Sequence, residues 1–126
     1  MVKKNILIVE DDNDLRESWE MIFNNFGVYI HTAANGLEAV EIIHQYPLKI
    51  IVTDLQMPEK DGYYVLEYVK SQDIDVKVWV CSGHLLDHTE LEKKYNIDRI
   101  LRKPFNMLNT VNELISIESE NNANKT

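Results

Sequence analysis

A chain of 126 residues has room for one domain, and folding at this size buries about two-thirds of the surface that the unfolded chain exposes, with no need of disulfides. Its 44% hydrophobic and 27% charged residues are the mixture of an ordinary globule and exclude a disordered or fibrous chain. Thirteen Lys and Arg against 21 Asp and Glu leave a net charge of −8, which repels a phosphate backbone and argues against direct nucleic-acid binding.

In chain order, Met1-Val2-Lys3-Lys4 has the charge of a signal-peptide start, but the apolar run Ile6 to Val9 is cut off by Glu10, Asp11 and Asp12, so no signal peptide is expected. No apolar stretch approaches the ~18 residues that a membrane-spanning helix needs. The single Cys81 agrees with a reducing compartment, and the expectation is a cytoplasmic protein with no membrane association. Ile6 to Val9 reads as the first strand. Leu15, Trp19, Ile22, Phe23 and Phe26 then recur at three- and four-residue steps and form one apolar stripe on a first helix. Val28 to Thr32 is the second strand, and a second helix follows with Leu37, Val40 and Ile43. Asn35 followed by Glu38 is a capping box at its start, and Pro47 ends it by disfavouring a helical conformation at Tyr46. Ile50 to Thr53 is the third strand. Pro58, Asp61 and Gly62 mark a loop before a third helix carrying Val65, Leu66 and Val69.

Val76 to Cys81 is the fourth strand. The fourth helix is the weak one, with only Leu85, Leu86, Leu91 and Tyr95 to anchor it and Asp87 and Glu90 to cap it. At roughly two turns it depends on tertiary packing and should be the mobile element. Arg99 to Leu101 is the fifth strand, and Leu108, Val111, Leu114 and Ile115 bury one side of a fifth helix. Residues 119–126 are polar and lack apolar periodicity, so the folded domain is expected over 1–118, followed by a disordered tail or the start of a linker.

Five alternating strands and helices with short connections imply an α/β fold, a parallel sheet covered on both faces by right-handed crossovers. The flavodoxin-like doubly wound (βα)5 order 2-1-3-4-5 reverses between strands one and three and opens a crevice at their carboxyl ends. Glu10, Asp11 and Asp12 follow the first strand and Asp54 the third, so the crevice receives carboxylates from both sides. Two unit charges ~4 Å apart interact by about 4 kcal/mol at an effective dielectric of 20, and a hard divalent cation resolves that conflict. Magnesium suits one or two carboxylates plus waters and a phosphoryl oxygen. Asp54 can then act as nucleophile toward a phosphoryl group, with Lys103 and Ser82, at the ends of the fifth and fourth strands, as cation and hydroxyl donor.

The ordered set Ile6-Leu-Ile-Val-Glu-Asp-Asp12, Asp54-Leu-Gln-Met-Pro58 with Asp61-Gly62, Ser82-Gly83 and Lys103-Pro-Phe105 resembles the signature of response-regulator receiver domains, over residues 3 to about 118. The resemblance implies that Asp54 is the phosphoacceptor, Asp11 a direct ligand of Mg2+ (with Mn2+ as a substitute), Glu10 an acidic neighbour acting through water, and the Gln56 carbonyl a further ligand. Ser82 would bond the phosphoryl group, Lys103 would pair with it, and the Lys103–Pro104 peptide would be cis. Gln56 and His84, two residues beyond Asp54 and Ser82, flank the path of the attacking water in this family and are expected to tune the lifetime of the acyl phosphate. The implied partners are a histidine kinase or histidine phosphotransfer protein as donor and a downstream protein target, the chain being a monomer or a phosphorylation-dependent dimer. One position departs from the family: where an aromatic normally stands three residues before the lysine, this chain has Ile100. Isoleucine is stiff at its first side-chain torsion, so output is expected to run through the short fourth helix.

Each residue alone has a plainer reading. The run Glu10 to Asp12 could serve only the positive end of the first helix, Asp54 could be a strand-end turn residue, Ser82 a loop hydroxyl and Lys103 a solvated lysine. His84 and His88 have a zinc-compatible spacing without a completing glutamate. His31 and His44 read as surface or edge residues, Cys81 as a small buried strand residue, Trp19 and Trp79 as core, and Tyr63, Tyr64 and Tyr68 as partly buried. Three rival functions stand beside phosphoacceptance. A flavin or nucleotide binder of the same topology is opposed by the acidic first loop, and an aspartyl phosphatase by the lack of a second carboxylate in Asp54-Leu55-Gln56. The nearest rival is a pseudo-receiver adaptor that works without phosphorylation.

Overall fold

The computed structural model describes residues 2–57, 60–83 and 89–123. Its elements alternate without exception: β1 (Ile6–Val9), α1 (Asn13–Asn25), β2 (His31–Ala33), α2 (Gly36–Gln45), β3 (Ile50–Asp54), α3 (Gly62–Ser71), β4 (Lys77–Ser82), α4 (Thr89–Lys94), β5 (Arg99–Arg102) and α5 (Met107–Ala123). The five strands form one parallel sheet in the order β2-β1-β3-β4-β5, so this is the flavodoxin-like doubly wound fold. Among the described residues no helix is long and apolar enough to cross a membrane.

β1 and the inner stretches Ile50–Val52 of β3 and Val78–Cys81 of β4 are continuously apolar because the sheet is covered on both faces, whereas the edge strands β2 and β5 carry His31, Thr32, Arg99 and Arg102. Their side chains alternate. Ile6 and Ile8 of β1 and Ile50 and Val52 of β3 join Trp19 and Phe23 of α1 and Val111 and Leu114 of α5 in one buried cluster. Leu7, Val9 and Ile51 face the other way, onto Ala39 and Ile43 of α2 and Val65 of α3. A third cluster, of Leu55, Leu66, Val78, Val80, Leu91 and Tyr95, seats α4. Trp19 and Trp79 are core residues, and Trp19 meets Phe23 and Phe105 at ring separations of 6.4 and 5.8 Å.

Several boundaries differ from expectation. β2 starts at His31 rather than Val28, because β1 is only four residues long and its register with β2 begins at Leu7 opposite His31. Lys4 still donates to the Tyr29 carbonyl at 2.7 Å, but Val28 packs as a half-buried residue outside the ladder. Leu15, Leu37 and Leu108, each in the first turn of its helix, and Phe26 at the C-cap of α1 are exposed rather than part of the buried stripes. α5 runs on through Ala123, past Glu118, where the polar composition predicted a tail. Glu118 explains the extension: it is buried and ion-paired with Lys49 at 3.4 Å, which fixes the preceding turns, and adding residues to an established helix is easy. His44 is exposed, whereas His31, although on the edge strand, is buried with its ring 4.3 Å from that of Tyr46. Burial and the nearby Lys3 charge hold the His31 pKa below its usual value.

The capping box at α2 forms in altered shape: Asn35 Oδ1 accepts from Glu38 N at 2.9 Å, but Glu38 Oε1 accepts from Ala34 N at 3.4 Å. The described part of α4, Thr89–Lys94, buries Leu91, and Tyr95 just past it is buried in the same cluster. Leu85, Leu86, the Asp87 cap and the His84/His88 pair lie outside the described residues.

Candidate functional site

The parallel sheet brings the tips of β1, β3, β4 and β5 to one edge, and each tip ends on a polar side chain. Past β1 the acidic run divides. Asp12 serves the helix, as the N-cap of α1 accepting from Leu15 N at 3.0 Å. Glu10 and Asp11 turn instead toward Asp54, and the three carboxylates offer ligand atoms that all lie within 4.8 Å of one another. Glu10 is only 6% exposed, and its Oε2 accepts from Asp12 N at 3.2 Å. Burial, helped by the Asp54 charge, pushes its pKa up to about 7 from an ordinary 4.5, against the opposing pull of the Asp12 hydrogen bond and Lys103.

Asp54 closes β3 and is 8% exposed. Lys103, just past β5, places Nζ 2.6 Å from Asp54 Oδ2. Burial pulls the pKa of this lysine down, but its hydrogen bond to Asp54 and the charges of Asp54 and Glu10 more than offset that and leave it raised. The Lys103–Pro104 peptide is cis, and Lys103 N donates to the Ser82 carbonyl at 2.9 Å, which ties β5's exit to β4's end. Ser82 is buried there. A cleft of about 150 Å3 runs between these tips, lined by Asp54, Leu55, Gln56, Tyr63, Ser82, Gly83 and Lys103.

Asp54, Ser82, Lys103, Glu10, Asp11 and Gln56 thus come together at one edge. Pro58 and His84 lie outside the described residues. Ile100 is half-buried on β5 opposite Val80. Cys81 is buried beside the site, and desolvation, aided by Asp54, raises its pKa to about 12, which leaves it an inert core thiol. Sequence periodicity missed Tyr63 as a cleft residue, because it assigns a helix face but not the turn that overhangs a strand end. It also missed the tight seat of α3, where Asp61 caps Tyr63 N at 3.0 Å and Gly62 N donates to the Leu55 carbonyl at 3.1 Å.

Among the described residues Glu10, Asp11 and Asp54 gather at one edge beside the Lys103 ammonium, and hard carboxylate oxygens in that number suit a divalent cation of the magnesium type. The family model for the response regulator receiver domain matches residues 6–115. The chain belongs to the response regulator receiver domain family. Receiver domains of this kind act in two-component signalling. This one is 30% identical over 112 residues to the response regulator receiver protein CpdR of Brucella abortus, covering 88% of this chain and 93% of that one. It is 29% identical over 108 residues to sporulation initiation phosphotransferase F of Bacillus subtilis, covering 85% and 87%. Against the probable transcriptional regulator ycf27 of Guillardia theta it is 31% identical over 105 residues, but there 82% of this chain spans 41% of the longer protein. Among solved structures, the Francisella response regulator 1452 receiver domain superposes with a TM-score of 0.81 at 25% identity, over 92% of this chain and 97% of that one.

Proposed function

We propose that this receiver domain accepts a phosphoryl group on Asp54 from a phosphohistidine of a histidine kinase or phosphotransfer protein, and that the acyl phosphate changes its binding to a downstream protein. The observation that carries the reading is the Lys103 ammonium 2.6 Å from a carboxylate that also belongs to a three-acid cluster. A carboxylate oxygen of Asp54 forms the new P–O bond as the P–N bond to the donor imidazole breaks, and the imidazole leaves with its electron pair and takes up a proton. Lys103 stands beside the oxygens that gain charge, and the Ser82 hydroxyl lines the same cleft. Glu10, Asp11, Asp54 and the Gln56 carbonyl would hold Mg2+, or Mn2+ in its place. When bound, the ion supplies charge neutralisation at the transferring phosphoryl oxygens.

Acetyl phosphate with magnesium should add one phosphoryl group to the intact mass, and chelating the metal should prevent it. An unchanged mass with metal present would instead favour a phosphorylation-independent adaptor. Followed over time, the same measurement reads the lifetime of the adduct, which alanine at both Gln56 and His84 should alter.

Magnesium affinity should depend on pH through Glu10. Because its pKa is raised to about 7, the folded metal-free protein holds a proton between pH 4.5 and about 7 that the unfolded chain has lost. Metal-free stability therefore falls as pH rises through that window. Metal binding needs the anion, so apparent affinity should rise by up to about tenfold per pH unit below 7 and level off above. Calorimetry across this range checks it, and a flat profile would remove Glu10 from the site.

Output is assigned to α4. Its C-terminal end is tied to α3 by Tyr95, whose hydroxyl donates to Glu67 Oε1 at 2.6 Å, and by Lys94, 3.0 Å from the same oxygen. With Ile100 unable to make the usual aromatic rotamer change, amide exchange over residues 84–95 should change on phosphorylation; identical exchange in both states would rule this route out. Whether the phosphorylated chain pairs with a second copy follows from its mass in solution.

A further inference from the structure

We propose that Arg16 is a positioning residue for the acidic cluster, anchoring the backbone from which Glu10 and Asp11 project. The ladder that orders β1 ends beneath the site: its pairing with β3 stops at Val9, and Glu10 N makes a last bond to the Ala33 carbonyl at 2.9 Å. The carbonyls of Glu10 and Asp11 then lie beyond any strand partner, at the turn whose side chains must converge. Arg16, one turn into α1 and half-buried, returns to fill that gap. Its Nη1 donates to the Glu10 carbonyl at 2.9 Å and, more weakly, to the Asp11 carbonyl at 3.4 Å, while Nη2 donates to Asn13 Oδ1. Its own amide donates to the Asp12 carbonyl at 2.9 Å. One rigid fork therefore spans the whole acidic turn.

This arrangement does two things for the cluster. It takes two carbonyl oxygens out of competition, so that side-chain carboxylates rather than a reoriented backbone face Asp54. It also removes the freedom of the turn, whose ordering would otherwise oppose metal binding. Arginine suits the task because its planar group presents several donors in fixed directions, whereas a lysine ammonium brings the same charge on a flexible stem. Charge alone predicts the reverse effect, since a cation beside the site repels a second cation. The two contributions are therefore separable.

The inference rests on the metal reading of the preceding section, and the test keeps the two apart. Calorimetric magnesium titrations of the wild type, Arg16→Lys and Arg16→Met are paired with amide exchange at residues 11 and 12 in the metal-free proteins. Both variants should bind magnesium on the order of 10-fold more weakly, the loss typical when a group supporting a ligand is removed. Both should exchange those amides faster, while exchange in the core of α1 stays as in the wild type. Unchanged exchange at residues 11 and 12, or tighter magnesium binding by Arg16→Met with Arg16→Lys unaltered, would overturn the proposal. If Arg16→Met fails to fold, Arg16→Lys decides alone. Failure of the wild type to bind magnesium would sink the reading of the site, and the exchange data would still decide whether Arg16 holds the turn.

Discussion

Asp54→Asn should reduce acyl-phosphate formation by more than about 100-fold, to the background of the mass measurement, because an amide offers no anionic oxygen to attack phosphorus. The fold should survive, for the side chain stands at the tip of β3, and the strand below it, Ile50 to Thr53, keeps its buried pairing with β1 and β4. Electrostatics at the edge would change in a readable way. Asp54 is one of the charges that raise the Glu10 pKa, so the variant should bring that pKa down from about 7 and shift the pH dependence of any residual metal binding toward acid. Lys103 would face a neutral amide in place of the anion it holds at 2.6 Å. A variant that gained the same mass as the wild type would place the acceptor elsewhere, with Glu10 and Asp11 the next carboxylates to test.

Much of this site could be read from the residues because the fold does the gathering. Once five apolar runs alternate with helical stripes, a parallel sheet follows, and residues just past each run must share one edge: Glu10 and Asp11 after β1, Asp54 ending β3, Ser82 ending β4 and Lys103 after β5. No long-range contact had to be guessed. What stayed hidden depends on lengths and contacts that a periodic pattern does not contain. Leu15, Leu37 and Leu108 fit their helical stripes, yet the pattern cannot say that a first turn is left exposed. His31 does stand on the edge strand, but its burial was hidden because nothing local announces that Tyr46, fifteen positions on by sequence number, will lie against it. The continuation of α5 past Glu118 was hidden by its polar surface, since nothing local announces that Glu118 is buried and paired with Lys49, 69 positions away. Arg16 stood in no motif, and its role emerged only from where the carbonyls of Glu10 and Asp11 end up.

Gly62→Ala should damage stability and phosphorylation together, and it should do so for lack of space rather than for lack of backbone freedom. A methyl group at Gly62 would sit 2.3 Å from the Asp54 carbonyl oxygen and 2.9 Å from the Leu55 Cα, both main-chain atoms with no side-chain torsion to yield. α3 begins there, with Gly62 N bonded to the Leu55 carbonyl, so either the helix lifts off the sheet or the Asp54 peptide turns. Overpacking of this kind costs about 1–3 kcal/mol, which a urea midpoint would register. The cost to function should exceed what partial unfolding explains, because the group displaced is the peptide of the phosphoacceptor itself, and misplacement by about 1 Å can cost on the order of 100-fold in rate. Two other glycines separate the causes. Among the described residues Gly83→Ala meets nothing nearer than Lys103 Cδ at 3.9 Å, so a methyl group at the same cleft should be tolerated. Gly27 has φ +72° with nothing among the described residues within 4 Å, so Gly27→Ala should cost about 1 kcal/mol in backbone strain and leave phosphorylation of the folded protein at the wild-type rate. If Gly62→Ala lost stability but was phosphorylated as fast as Gly27→Ala under folding conditions, the close approach of α3 would be a matter of packing alone, and the placement of Asp54 would have to come from the strand and Lys103.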